Sequence, residues 1–90
     1  MRDDGDVLLS GRFDASQVEA ANAVFDRLTT TTRVNFQNLD YISSAGLGTL
    51  LKTQKRLAET KHFLILTKMN KLVRDIFKIA RFELVFKIED

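Results

Sequence analysis

Hydrophobic positions along the 90-residue chain change period six times. Val7 to Phe13 (VLLSGRF) is short, rich in strand formers and closed by Gly11 and Asp14, which predicts a strand over Val7–Arg12. Val18, Ala21, Phe25 and Leu28 then recur at three- and four-residue spacing, and Asp14 with Gln17, or Ser16 with Glu19, offers a capping box, so a helix is expected over Ser16–Leu28. Thr29 to Thr32 are β-branched, and Val34 and Phe36 alternate with Arg33 and Asn35. The second strand is therefore placed at Arg33–Phe36, ending near Gln37 or Asn38. Leu47, Leu50, Leu51, Leu57 and Ala58 mark one face of a helix over Ala45–Glu59, whose opposite face carries Lys52, Gln54, Lys55, Arg56 and Glu59. The continuous run FLIL, Phe63–Leu66, has the pattern of a strand covered on both faces and is assigned to the sheet centre. Asn70 can cap a third helix over Asn70–Ala80, buried through Leu72, Val73, Ile76, Phe77 and Ala80, and Leu84–Ile88 reads as the last strand.

The order β-α-β-α-β-α-β with short connections predicts the α/β class: a small, mainly parallel sheet of four strands with three helices, joined by right-handed crossovers. A chain of this length closes about one hydrophobic core, so residues 1–90 are expected to be a single domain.

Composition narrows the chemistry. Fourteen Lys and Arg stand against 12 Asp and Glu, and a net charge of +2 is too slight to mark a nucleic-acid surface. No stretch approaches the ~20 apolar residues of a membrane span, and the start MRDDGD is acidic where a secretory signal is basic and then apolar, so a cytoplasmic protein without membrane contact is expected. Cysteine is absent and His62 is the single histidine, which removes disulfides and leaves little for imidazole or metal chemistry; no cofactor is expected. Phe63, Phe77, Phe82 and Phe86 fall on strand or helix stripes and read as core.

YISSAGLG, Tyr41 to Gly48, interrupts this regularity with two adjacent serines and two of the four glycines. It lies at a strand-to-helix junction, where unpaired N–H groups and the positive end of a helix dipole favour an anion. One serine capping the helix, with Gly46 and Gly48 permitting a tight turn and close packing, accounts for the composition by itself. Nucleophilic catalysis does not fit, because His62 begins a different strand at the far end of a parallel sheet, and Ile42 replaces the first glycine of a nucleophile elbow. Thr49 and two leucines follow Gly48, so neither G-x-G-x-x-G nor a P-loop is complete.

LDYISSAGLGTLL, with LSGRFD near the start and KLVRDIFKIARFELVFKI near the end, resembles the STAS domain family, and within it the bacterial anti-sigma factor antagonists. The resemblance spans nearly the whole chain, and its most specific part is Ser43-Ser44-Ala45-Gly46 followed by Leu47. It implies that Ser44, two residues before Gly46, is phosphorylated by a partner that is both a serine kinase of the histidine-kinase-like ATPase type and an anti-sigma factor. The unphosphorylated protein would bind that partner and release a sigma factor, and a serine phosphatase would restore it. Asp14, Ser43, Ser44, Ala45, Gly46, Leu47 and Gly48 are then the expected partner-binding residues; Asp14 reads equally well as an N-cap or turn residue. Two positions depart from the common pattern: Ser43 stands where many members have an acidic residue, and Asn35 where an aspartate is frequent.

The family also implies an extra strand antiparallel to the Val7 strand. Only six residues precede Val7, so that edge is expected to stay open and to favour a weak homodimer. Other readings of the chain are a STAS subunit of a lipid ABC transporter, a stressosome-like sensor, or a small nucleotide- or phosphate-binding module using the helix N-terminus at Ser44–Gly48; a hydrolase is the remotest.

Overall fold

The computed structural model describes residues 2–3 and 6–89. Its strands are β1 (Arg2–Asp3), β2 (Asp6–Phe13), β3 (Thr32–Ile42), β4 (Leu64–Thr67) and β5 (Lys87–Glu89), and its helices α1 (Val18–Phe25), α2 (Ser44–Ala58) and α3 (Lys71–Ile79). The five strands form one sheet in chain order. β2, β3, β4 and β5 are parallel, as the alternation of periods implies, while β1 runs antiparallel to the start of β2.

Parallel neighbours in consecutive order, joined by right-handed crossovers, put every helix on the same face of the sheet. Burial agrees with this. Val7, Leu9 and Phe13 of β2, Val34, Phe36, Leu39 and Ile42 of β3, and Leu64 and Leu66 of β4 join Phe25, Leu50, Leu57, Val73 and Phe77 of the helices in one core cluster. Ser10, Arg12, Arg33 and Gln37, which alternate with them, are exposed. The strand at Phe63–Leu66 is accordingly not covered twice: Leu64 and Leu66 are buried, Ile65 is half-buried and Phe63 is 37% exposed. Its continuous apolar run implies two covering layers, but among the described residues only one covers it, and Phe63 leaves the predicted core.

β3 is longer than the alternation of its side chains predicts. Leu8 pairs with Asn35 and Ser10 with Asn38, then Gly11 with Leu39 and Arg12 with Tyr41, so β3 twice spends one residue more than β2 over the same step. Each extra residue resets which side chains face the core. Phe36, Leu39 and Ile42 are all buried although two residues separate each from the next, which is why the alternation breaks at Gln37 and Asn38. Gly11 sits at the second shift with φ 69°, a left-handed backbone conformation that glycine adopts without steric cost.

The end of the chain also differs from expectation. α3 stops at Ile79, Arg81 takes the left-handed conformation that often closes a helix, and Phe82–Leu84 form a 3₁₀ turn. Val85 and Phe86 both donate their N–H to the Phe82 carbonyl, which holds the chain curled until β5 begins at Lys87. The expected strand over Leu84–Ile88 is thus displaced and shortened. Folding back lets Phe86 enter the core edge-on to Phe77, with centroids 5.8 Å apart, and Phe77 meets Phe36 in the same way at 5.9 Å. Leu72, assigned to the buried stripe of α3, is 54% exposed.

The missing strand partner is partly supplied. Arg2 pairs with Val7 and Asp3 with Asp6, which covers the beginning of β2 and removes the premise of a wholly open edge. From Leu8 onward, no strand among the described residues pairs with β2 on that side.

The polar face of α2 is more than a solvated surface. Gln54 accepts the Leu64 N–H at 2.8 Å and donates to the Val85 carbonyl at 3.1 Å. Arg56 donates to the carbonyls of Phe25 and Leu28, both at 2.8 Å, closing the end of α1 with a cation where the helix dipole is negative. Replacing Arg56 with alanine is expected to lower the unfolding free energy by about 1–3 kcal/mol, with lysine restoring only part because it lacks the planar fork. Chemical denaturation checks this, and an unchanged midpoint in the alanine variant would show that water replaces both bonds at no cost.

Candidate functional site

The site is built where β2 and β3 end and α2 begins. Ser43 has extended backbone, φ −93° and ψ 174°, which turns the chain out of β3 and into the helix. Its N–H donates to the Phe13 carbonyl at 2.9 Å, its hydroxyl donates to the same carbonyl at 3.3 Å, and its Oγ accepts the Gly46 N–H at 3.4 Å. The Ser43 carbonyl takes the first helical bond, from Leu47 at 2.9 Å. Ser43 is therefore the N-cap, half-buried and engaged on every side.

Ser44 is different. It is the first helical residue, it is exposed, and its hydroxyl makes no hydrogen bond to another described residue. Of two adjacent serines, then, one is consumed by capping and the other projects at the positive end of a 15-residue helix. The two glycines divide as sharply. A Cβ on Gly46 would stand 2.7 Å from the Phe13 carbonyl oxygen and 2.8 Å from Ile42 Cγ1, whereas one on Gly48 would meet nothing within 4 Å. Gly46 is required by the approach of α2 to the strand ends, while the tight-turn role expected of Gly48 is absent.

Comparison with known proteins gives the family. A family model described as "Mlab, STAS domain" matches residues 2–87. The chain belongs to the STAS domain family. A Bordetella bronchiseptica protein named "Putative anti-sigma factor antagonist BtrV" is 34% identical over 76 residues, which are 83% of this chain and 66% of that protein; the chain thus spans just under two thirds of that relative's length. Among solved structures, a Thermotoga maritima protein described as a "putative anti-sigma factor antagonist" has a TM-score of 0.85 at 18% identity, covering 100% of this chain and 83% of its own. The anti-sigma factor antagonist SpoIIAA in its unphosphorylated form has a TM-score of 0.77 at 22% identity, covering 100% and 85%. These two structures share the STAS fold described above.

The other residues that the sequence resemblance implicates differ in their exposure. Gly46 and Leu47 are buried, and Leu47 belongs to the core, so their part in any contact is through the shape of the helix start. Ala45 is half-buried and Gly48 exposed, and with Ser44 they form the outward surface. Asp14 directly follows Phe13, the residue that receives Ser43, so chain connectivity brings it beside the serines. Its carboxylate accepts from the Ser16 backbone N–H at 3.0 Å and from the Ser16 hydroxyl, capping the 3₁₀ turn Ala15–Gln17. Those bonds, led by the hydroxyl's, hold the Asp14 carboxyl below its usual 3.8, against a weaker opposing effect of desolvation.

Two neighbours escaped the sequence reading. Arg12 lies over the Tyr41 ring, 4.4 Å from its centroid, one residue before the paired strand ends Phe13 and Ile42. The only signal for that pair was register, and the bulges of β3 concealed it. His62 is remote: its Nδ1 accepts the Thr31 N–H at 3.0 Å, just before β3 starts, whereas Ser43 follows where β3 ends. No base is brought to either serine by this histidine. Among the described residues no cluster of His, Cys, Asp and Glu could hold a metal ion.

Gly46→Ala is expected to destabilise the domain by about 1–3 kcal/mol, because backbone cannot yield to the new methyl, while Gly48→Ala should be neutral or stabilise by roughly 0.5–1 kcal/mol through helix propensity. Thermal or denaturant unfolding of the pair reads both signs. Asp14 gives a pH dependence. A carboxyl with a depressed folded value contributes stability that is complete above its unfolded value and is lost as pH falls through the folded one. The stability gap between the parent and Asp14→Ala should accordingly be constant near neutrality and close progressively below pH 3.8; a gap unchanged down to pH 2 would contradict the ionised cap.

Proposed function

We propose that this STAS domain, residues 1–90 taken as one unit, is a cytoplasmic anti-sigma factor antagonist whose Ser44 is a reversible phosphorylation switch. The observation that carries this reading is the division of labour between the serines: Ser43 is held by the Phe13 carbonyl and the helix start, and Ser44 is exposed and unengaged. The names of the Bordetella relative and the two structural neighbours support the assignment of function. The protein acts by binding. Its unphosphorylated face at Ser44, Ala45 and Gly48, with Asp14 beside it, docks on an anti-sigma factor that is also a serine kinase of the histidine-kinase-like ATPase type, and so frees a sigma factor.

Phosphorylation at Ser44 adds about −1.5 to −2 charges at a helix N-terminus, a position that stabilises anions, so the fold tolerates the modification. The complex does not. A dianion in the middle of a docking face is either desolvated or faced with like charge, and a loss of ~3 kcal/mol weakens binding on the order of a hundredfold. A serine phosphatase reverses the change. Asn35, which departs from the aspartate frequent in the family, lies on β3 beside Leu8, seven residues before the end of the strand, so its effect on phosphorylation is expected to be small.

The test is a pair of substitutions assayed by calorimetry against the anti-sigma kinase. Ser44→Ala should fold, bind as the parent does and resist phosphorylation; Ser44→Asp should fold and bind on the order of a hundredfold more weakly. Equal affinity of parent and Ser44→Asp would reject the switch and leave the serines with a capping role.

A further inference from the structure

A recess of about 520 Å³ lies at the opposite end of the sheet from the serines, where α1 ends and β3 begins. That volume falls within the ~300–1,000 Å³ of small-molecule sites. Val24 and Leu28 give it an apolar wall, and Arg27, Thr29 and Thr30 line it with polar groups. Arg27 is the one charged residue among the described residues that line it.

These polar groups are not used by the fold. The Arg27 guanidinium makes no ion pair or hydrogen bond with another described residue, and neither the hydroxyls nor the backbone N–H groups of Thr29 and Thr30 find an acceptor among them. The chain beside them is fixed. Thr31 donates its N–H to His62 Nδ1 at 3.0 Å, Thr32 donates its N–H to the Phe63 carbonyl at 3.3 Å, and the Thr32 hydroxyl donates to the Thr30 carbonyl at 2.9 Å. Negative charge nearby is already matched. Arg56 donates to the carbonyls of Phe25 and Leu28 at the negative end of α1, and Asp26, next to Arg27 in sequence, does not line the recess and lies 3.9 Å from Lys52 on α2. The recess thus combines an unpaired cation, unpaired N–H and O–H donors and an apolar wall, in a frame already held by hydrogen bonds.

We propose that this recess binds a small organic carboxylate. The planar guanidinium of Arg27 pairs with the carboxylate, Thr29 and Thr30 supply further donors, and the apolar body of the ligand lies on Val24 and Leu28. One guanidinium balances one negative charge, so a phosphate dianion would stay half-neutralised and, without an apolar body, would leave the wall of Val24 and Leu28 uncovered. An uncharged ligand would cover that wall but leave Arg27 without a partner in a partly desolvated site. The recess is separate from the serine pair, since α2 opens where β2 and β3 end and the 11 residues of β3 lie between. A ligand here does not touch Ser44.

The experiment titrates the ¹⁵N-labelled full chain with phenylacetate. Saturable shifts are expected for the amides of Val24, Arg27, Thr29 and Thr30, with a Kd on the order of 1 mM. Phenylacetamide, which keeps the body without the charge, and inorganic phosphate, which keeps the charge without the body, should each bind at least tenfold more weakly. Arg27→Gln, at an exposed position that leaves the fold intact, should weaken phenylacetate at least tenfold, while Lys71→Gln, which removes a cation from α3 instead, should leave it unchanged. No saturable shift at phenylacetate concentrations on the order of 10 mM, equal affinity in Arg27→Gln, or an equal loss in Lys71→Gln would overturn the inference. So would phosphate binding as tightly as phenylacetate, which would make the recess a plain anion site, or phenylacetamide doing so, which would make it an apolar groove.

Discussion

Everything at the candidate site depends on one close approach, that of the first turn of α2 to the carbonyl of Phe13. The oxygen that ends β2 receives both the backbone and the hydroxyl of Ser43, and the absence of a side chain on Gly46 lets the helix come near enough for both. A methyl at Gly46 would push the helix away from β2 and loosen the cap. With the approach in place, the helix can start at only one residue, which makes Ser43 the cap and turns Ser44 outward. Thus a contact whose immediate effect is on packing also decides which of two chemically identical side chains meets solvent.

The same geometry explains how a modification could change binding without changing the fold. The first turn of an α-helix has a surplus of N–H groups and positive potential, so a phosphate there is stabilised locally. Hydroxyls buried in the core lack that freedom: Thr49 and Thr53 donate to the carbonyls one turn back on α2 and are covered, so a charge at either would be trapped away from water. Fold stability and partner affinity are therefore separable at Ser44, a condition that a regulatory switch must meet.

Legibility in the sequence follows the regularity of the backbone. α2 and α3 were readable because apolar residues recur on one face of each, with Thr53 filling the gap between Leu51 and Leu57, and their caps are polar residues of the right kind; Asn70 accepts the Val73 N–H at 2.8 Å and also reaches back to the Leu39 carbonyl at 3.0 Å. β3 was only half readable, since its two register shifts replace the two-residue alternation with steps of three from Phe36 to Leu39 and Ile42, a spacing that does not mark a strand. The turn at Phe82–Leu84 was missed for a related reason. A left-handed residue there is normally announced by glycine, and here it is Arg81. At the site, the importance of Gly46 and the serine pair could be read, whereas the split between cap and free hydroxyl required knowing where the helix begins to within one residue, finer than periodicity resolves. The hydrogen bonds of Ser43 locate that start.

The central claim is that neighbouring hydroxyls differ because one is committed to the backbone. Tandem mass spectrometry of the protein isolated from its own cells, with fragmentation that separates positions 43 and 44, tests it most directly. The account predicts phosphate on Ser44 and none on Ser43; phosphate on Ser43, or on neither serine under any growth condition, would contradict it.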